Sequence, residues 1–194
     1  MVYIGQKKRM VTLNNRDSLL RSASLLFRQK GYHGVALAEI LKAADLPKGS
    51  LYYHFPGGKR ELATEATLSA GRIVERSVSR AFESAGSFAQ GMAAFCDVVA
   101  DRLRSESPVE ACPVASILQA STSEPELRDA ARTVLTSWSE GLVLQAARLG
   151  HPAPHDAADM VLMQMEGAWL LAVAEQSARP FERLGEMYRK GTGI

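Results

Sequence analysis

The chain is poor in the features that mark several protein classes. Its 194 residues hold two cysteines, Cys96 and Cys112. That is too few for a disulfide scaffold, so a reduced, cytoplasmic protein is expected. No uninterrupted apolar run approaches the roughly 20 residues that cross a bilayer, and no membrane role is expected. No apolar segment follows Lys7, Lys8 and Arg9 near the start, so a secretory signal is not predicted. The chain has no Gly-x-Ser-x-Gly elbow, no paired histidines on a helix and no nucleotide loop. Gly58-Lys59 imitates the end of a phosphate loop, but Tyr53 stands where the loop's first glycine is required. His151 and His155 are four apart, yet Pro152 and Pro154 lie between them, and no cysteine or carboxylate pattern completes a zinc site. Neither an enzyme, a cofactor nor a metal centre is expected.

What is present is an ordinary globular bulk with unevenly placed charge. The hydrophobic share is 46% and the charged share 23%, which suits one or two compact domains with a real core. The formal net charge of +2 hides a basic first third, in which residues 1–62 carry eleven Lys/Arg against four Asp/Glu. The remainder carries twelve against seventeen. One end of the molecule is therefore expected to face a polyanion, and nucleic acid suits that pattern.

The basic third contains the stretch on which the reading turns, residues 36–59. Leu37, Ile40, Leu41 and Ala44 fall at helical spacing on one face. Asp45, a residue that tolerates a left-handed conformation, breaks the run. Pro47 is suited to a first helical position, and a second short helix then carries Lys48, Gly49, Ser50, Leu51, Tyr52, Tyr53 and His54. Two short helices joined by a tight turn make a helix-turn-helix. Lys48, Ser50, Tyr53 and His54 supply hydrogen-bonding groups of the kind that read base edges and hold phosphates. Lys59, at the start of a long helix expected over 59–84, is placed to meet a phosphate at that helix's N-terminus. Upstream, Asn14 or Asn15 caps a helix running to Lys30, and Gly31 stops it.

These residues resemble the N-terminal domain of the TetR family of transcriptional regulators. The resemblance rests on Gly31-Tyr32, Ile40, Ala43-Ala44, the run from Lys48 to Phe55, Lys59 and Leu62, with Leu20, Ala23, Leu26 and Phe27 before them. The Pro56-Gly57-Gly58-Lys59 loop and Cys112-Pro113-Val114-Ala115 are similar to the LmrA/YxaF branch. The resemblance implies an all-α fold with a flexible basic arm over 1–14, a three-helix DNA-binding domain over 15–62 and a ligand-binding and dimerisation domain over 63–194. It implies a homodimer on a palindromic operator of double-stranded DNA, with Lys48, Gly49, Ser50, Tyr52, Tyr53, His54 and Lys59 as the DNA-binding residues. Tyr52 is the ambiguous member, since it can also pack inward beside Leu51 and Phe55.

The chain departs from the family at Val35 and Ala36, where Thr or Ser is expected, and at Ala38, where a polar or basic residue is frequent. The second helix is therefore expected to be poorly capped.

The rest of the chain reads as helices over 88–103, 125–149, 157–177 and 180–190, with a loop over 106–113 broken by Pro108 and Pro113. The helix over 157–177 is apolar nearly all round and wants burial on more than one side; the resemblance implies that it and the helix over 180–190 pair with their symmetry mates in a four-helix bundle. Met92, Phe95, Trp138, Met163 and Trp169 are the expected lining of a pocket for a small apolar or aromatic effector, beside Met160 and Met165. Gln164, Glu166, Gln119 and Glu175 are its candidate polar orienters. Cys112 is expected to be a small buried hydrophobe. The function expected is a ligand-responsive repressor. The alternatives are a helical dimer that has lost DNA binding, suggested by Val35, Ala36 and Ala38, and an activator.

Overall fold

The computed structural model describes residues 14–118, 120 and 122–192. The expected basic arm with Lys7, Lys8 and Arg9 lies outside the described residues, apart from Asn14, and so does Gln119. All regular structure among the described residues is helical: α1 (Asn15–Lys30), α2 (Leu37–Ala44), α3 (Lys48–His54), α4 (Gly58–Phe82), α5 (Phe88–Ser105), α6 (Ala115–Leu118), α7 (Pro125–Arg148), α8 (Pro154–Glu175) and α9 (Arg179–Arg189).

The ends follow local chemistry. Asn14 accepts from the Asp17 amide at 2.9 Å and opens α1, and Gly31, at φ 68°, closes it. Asp45 takes the left-handed conformation, at φ 54°, that stops α2. Ala36 has no side-chain acceptor to cap α2, as expected, but Glu39 reaches back to the Ala36 amide at 2.9 Å. Half of a capping box thus survives without its hydroxyl. Two expectations shift. Pro47 is the residue before α3 rather than its first turn. Pro154 opens α8, three residues earlier than expected, because a proline at the first helical position gives up only an unpaired N–H.

Three cores result. In the head, Leu19, Ala23 and Phe27 of α1 meet Ile40 of α2, Leu51 and Phe55 beside α3, and Leu62, Ala63 and Ala66 of α4. Ile117 and Leu127 from the body close the same core, so it continues past Leu62. Val35, which stands where Thr or Ser is expected, is buried there. In the body, α5, α7, α8 and α9 enclose Met92, Val99, Leu103, Leu142, Val161 and Phe181. A smaller cluster of Cys112, Val114, Ala131 and Val134 lies between them. Helix α4 runs through both halves. At Gly71 it approaches α7 so closely that an added Cβ would sit 2.6 Å from Val134 Cγ1.

Helix α8 is long and apolar enough to cross a membrane by length and composition. One face, Ala157, Ala158, Val161, Met165, Ala168 and Ala172, is buried in the body. The opposite face exposes Met160, Met163, Leu170 and Leu171.

Candidate nucleic-acid interface and ligand cavity

Helix α3 is anchored by its apolar residues and displays the rest. Leu51 and the following Phe55 are fully buried, which fixes the helix against α1 and α2. Tyr53 is 81% exposed, the most exposed large hydrophobic residue in the described chain. Its ring meets His54 edge-on at 4.9 Å. Lys48 and Gly49 are exposed beside it, and nothing lies within 4 Å of a Cβ placed on Gly49, so a backbone or base edge can approach there. Tyr52 is turned toward the loop, with Cε1 3.8 Å from a Cβ placed on Gly58, and is half exposed. Ser50 does not join this outward face. Its Oγ is buried without a hydrogen-bond partner, so the hydroxyl expected to meet DNA points inward.

Lys59 also differs from the simple picture of a free phosphate ligand. Its ammonium sits over the Tyr32 ring, 4.3 Å from the centroid, a cation–π arrangement. Burial holds its pKa below the usual lysine value, against the pull of Glu124 and Glu39. The loop before it is held by Glu61, whose Oε2 accepts from the Gly57 amide at 2.7 Å.

In the body, α4, α5, α7, α8 and the loop after α5 surround a cavity of about 230 Å³. Met92, Phe95, Trp138 and Trp169 line it. Met163 does not: it is 63% exposed on the outer face of α8, two residues out of phase with Met165, which does line the cavity. At 3.6 residues per turn that offset sends the two side chains to different faces. Of the polar orienters, Glu166 lines the cavity. Gln164 and Glu175 flank a separate groove between α8 and α9, and Gln164 accepts from the Tyr188 hydroxyl at 2.6 Å. Cys112, 3% exposed, lies in the cavity wall and donates its thiol to Glu166 Oε1 at 3.2 Å. Burial pushes the Cys112 thiol up to about 12, far from a reactive thiolate, and burial likewise raises Glu166 above the ordinary carboxylate value.

Both cavity tryptophans are fastened to neighbouring backbone. The Trp138 indole donates to the Gly71 carbonyl of α4 at 3.1 Å, and the Trp169 indole to the Glu110 carbonyl of the loop at 2.9 Å. That loop is held from three sides. The Gln176 amide side chain, on a residue in the left-handed conformation, pairs with Val109 through both its N–H and its carbonyl, at 3.0 and 3.1 Å. Arg28 of α1, 9% exposed, donates to the Ala111 carbonyl at 2.8 Å and to Glu106 Oε2 at 3.1 Å. Its Nη1 lies 3.2 Å from Glu110 Oε2, an ionic contact outside hydrogen-bond alignment, since that oxygen has no hydrogen-bond partner.

Sequence reasoning missed this Arg28 link. By position Arg28 is one more basic residue in the last turn of α1, and the acidic residues that meet it are 78 and more positions away. A charged residue set between the apolar pair of Leu26 and Phe27 and the end of the helix was the faint available signal. Of the two histidines four apart, His155 lies in α8, while His151 precedes it and its Nδ1 accepts from the Ala153 amide at 3.2 Å.

A helix-turn-helix with an outward tyrosine, mounted on an all-α body, defines a DNA-binding regulator. The family described as "Bacterial regulatory proteins, tetR family" matches residues 19–66. "Transcriptional regulator LmrA/YxaF-like, C-terminal domain" matches residues 89–187. The HTH-type transcriptional regulator LmrA of Bacillus subtilis is 31% identical over 172 residues, 86% of this chain and 90% of that one. IcaR of Staphylococcus aureus, a negative transcriptional regulator of a biofilm operon, is 43% identical over 44 residues, 23% of this chain and 24% of that one. A solved structure of the TetR-family regulator CifR, a cysteine mutant complexed with operator DNA, shares the fold, with a TM-score of 0.74 at 20% identity over 94% of this chain and 98% of that one. The chain belongs to the TetR family of transcriptional regulators, in its LmrA/YxaF-like branch. It is a transcriptional regulator.

Proposed function

We propose that the protein is a cytoplasmic repressor that binds a palindromic operator as a homodimer and releases it when a small apolar or aromatic effector enters the body cavity. The observation that carries the DNA-binding part is the outward set on α3: Tyr53 almost wholly exposed, with Lys48 and Gly49 beside it, on a helix pinned by the buried Leu51 and Phe55. Two such helices, one per subunit, enter successive major grooves about 34 Å apart. Tyr53, Tyr52 and His54 meet bases or phosphates, Gly49 permits close backbone approach, and Lys48 and Lys59 neutralise phosphates. For Lys59 this requires leaving the Tyr32 ring. The repressor assignment is supported by the negative regulator IcaR, whose match falls within the length of a DNA-binding head.

The homodimer forms through α8 and α9. Met160, Met163, Leu170 and Leu171 of α8 and Met187 of α9 expose an apolar surface on one side of the body. Gly167 leaves room there for a close approach, with nothing within 4 Å of an added Cβ. Pairing with a second copy buries this surface, as isologous interfaces do.

Effector binding is coupled to DNA through α4 and through Arg28, which joins α1 to the loop in the cavity wall. By linkage, operator DNA weakens effector binding by the factor by which effector weakens DNA binding. No catalysis enters this cycle. A gel shift with DNA from upstream of the protein's own gene tests the reading. Salt-dependent, sequence-specific retardation is the expected result; binding indifferent to sequence, or none, refutes it.

A further inference from the structure

We propose that the effector held in this cavity is a small lipophilic cation, an organic ammonium with an aromatic or branched body. The inference rests on the cavity being the effector site and adds its charge. Two carboxylates, Glu75 and Glu166, line the cavity, and among the described residues no Lys, Arg or His does. Glu75 accepts from the Ser137 hydroxyl at 2.7 Å. Among the described residues Glu166 meets the Cys112 thiol, at 3.2 Å, a weak donor that leaves most of the carboxylate's hydrogen-bonding capacity unused.

The remaining wall suits a cation as well. Phe95, Trp138 and Trp169 supply ring faces and edges, and Met92 and Met165 supply polarizable thioethers. Both indole N–H groups are already committed to the Gly71 and Glu110 carbonyls, so the tryptophans offer π density to a ligand and no donor. Aromatic rings around a carboxylate recognise organic ammonium groups. A neutral apolar ligand would strip water from Glu166 and give it nothing in return, and an anion would meet two carboxylates. The volume, about 230 Å³, falls below the roughly 300–1,000 Å³ common for ligand pockets, which favours a compact cation.

The test uses two probes of the same shape, benzyltrimethylammonium and neopentylbenzene, which differ by a charged nitrogen in place of a carbon. The chain has two tryptophans and both line the cavity, so intrinsic fluorescence of the full-length protein reads occupancy directly. Benzyltrimethylammonium is expected to bind at least tenfold more tightly than neopentylbenzene. Glu166→Gln is expected to erase that difference while leaving neopentylbenzene unchanged, and Glu166→Asp to retain most of it. Equal or tighter binding of the neutral probe overturns the proposal, and this comparison needs no variant to fold. Undiminished cation binding by Glu166→Gln overturns it too. If neopentylbenzene binds and loosens operator DNA, the effector cavity stands and the charge assignment alone falls. If neither probe binds, the charge assignment falls.

Discussion

Arg28 in the first helix of the DNA-binding head donates to the carbonyl of Ala111, in the loop that walls the body cavity, at 2.8 Å. The next residue along, Cys112, faces that cavity. One side chain thus links the first helix to the cavity wall, and it does so from a buried position where its charge needs the carboxylates around it.

Replacing Arg28 by Met leaves Glu110 buried and without a cation. Breaking one side of a buried ion pair costs several kcal/mol, so urea unfolding is expected to show a loss of about 3 kcal/mol. Adding Glu110→Gln to the same chain removes the stranded charge and is expected to restore part of the loss. A double variant no more stable than Arg28→Met would assign the cost to packing instead.

Acid reaches the same cluster through Glu106. Burial pushes its pKa up, but the Arg102 hydrogen bond at 2.9 Å and the Arg28 contact outweigh it and hold the group below the ordinary value. A carboxyl with a depressed folded-state pKa stabilises the fold above its unfolded value of about 4.3. That contribution disappears as the pH falls through the lower, folded value. Glu106→Gln is expected to unfold less steeply with acid over this range than the parent, measured by circular dichroism at a series of pH values.

Tyr53→Ala removes an exposed ring that packs only on the edge of the neighbouring His54 among the ring contacts of the described residues. Thermal stability is expected to change by less than about 0.5 kcal/mol, while specific operator binding is lost in a gel shift. Retained affinity would take Tyr53 out of the interface.

Lys59→Met keeps the stem and deletes the ammonium. The slope of log affinity against log salt is expected to flatten by about one unit, equally on all sequences. An unchanged slope would mean that the ammonium stays over Tyr32 when DNA is bound.

Leu171→Arg sets a charge in the exposed apolar face of α8. Size-exclusion chromatography is expected to show a monomer, with operator affinity reduced at least tenfold. A dimer of unchanged elution would move the interface elsewhere.

Much of the architecture was legible in the sequence because it is written locally. Asn14, Asp45 and Pro125 mark helix ends by chemistry that acts within a turn, and the buried Leu51 and Phe55 follow from spacing. The cavity was partly legible: Met92, Phe95, Trp138 and Trp169 do line it, but Met163 faces outward. On a helix apolar on nearly every side, composition does not choose which methionine turns inward; packing against α7 and α9 does. Ser50 failed similarly, since a hydroxyl in a short helix reads the same whether it faces the core or the solvent. The Arg28 cluster was out of reach because its partners lie 78 or more residues away along the chain.

Gly71 has a mechanical consequence for α4. Its tight seat against Val134 is a close contact partway along a helix that starts at Gly58 under the head and passes Val78 at the cavity. At 1.5 Å per residue, the arm toward the head is about 20 Å and the arm to Val78 about 10 Å. Were α4 to tilt as a unit about this contact, a displacement of about 1 Å at the short end would carry the other end about 2 Å in the opposite direction. A Cβ at position 71 would overlap both Val134 methyls and wedge α4 away from α7, with the residues at either end of the helix untouched.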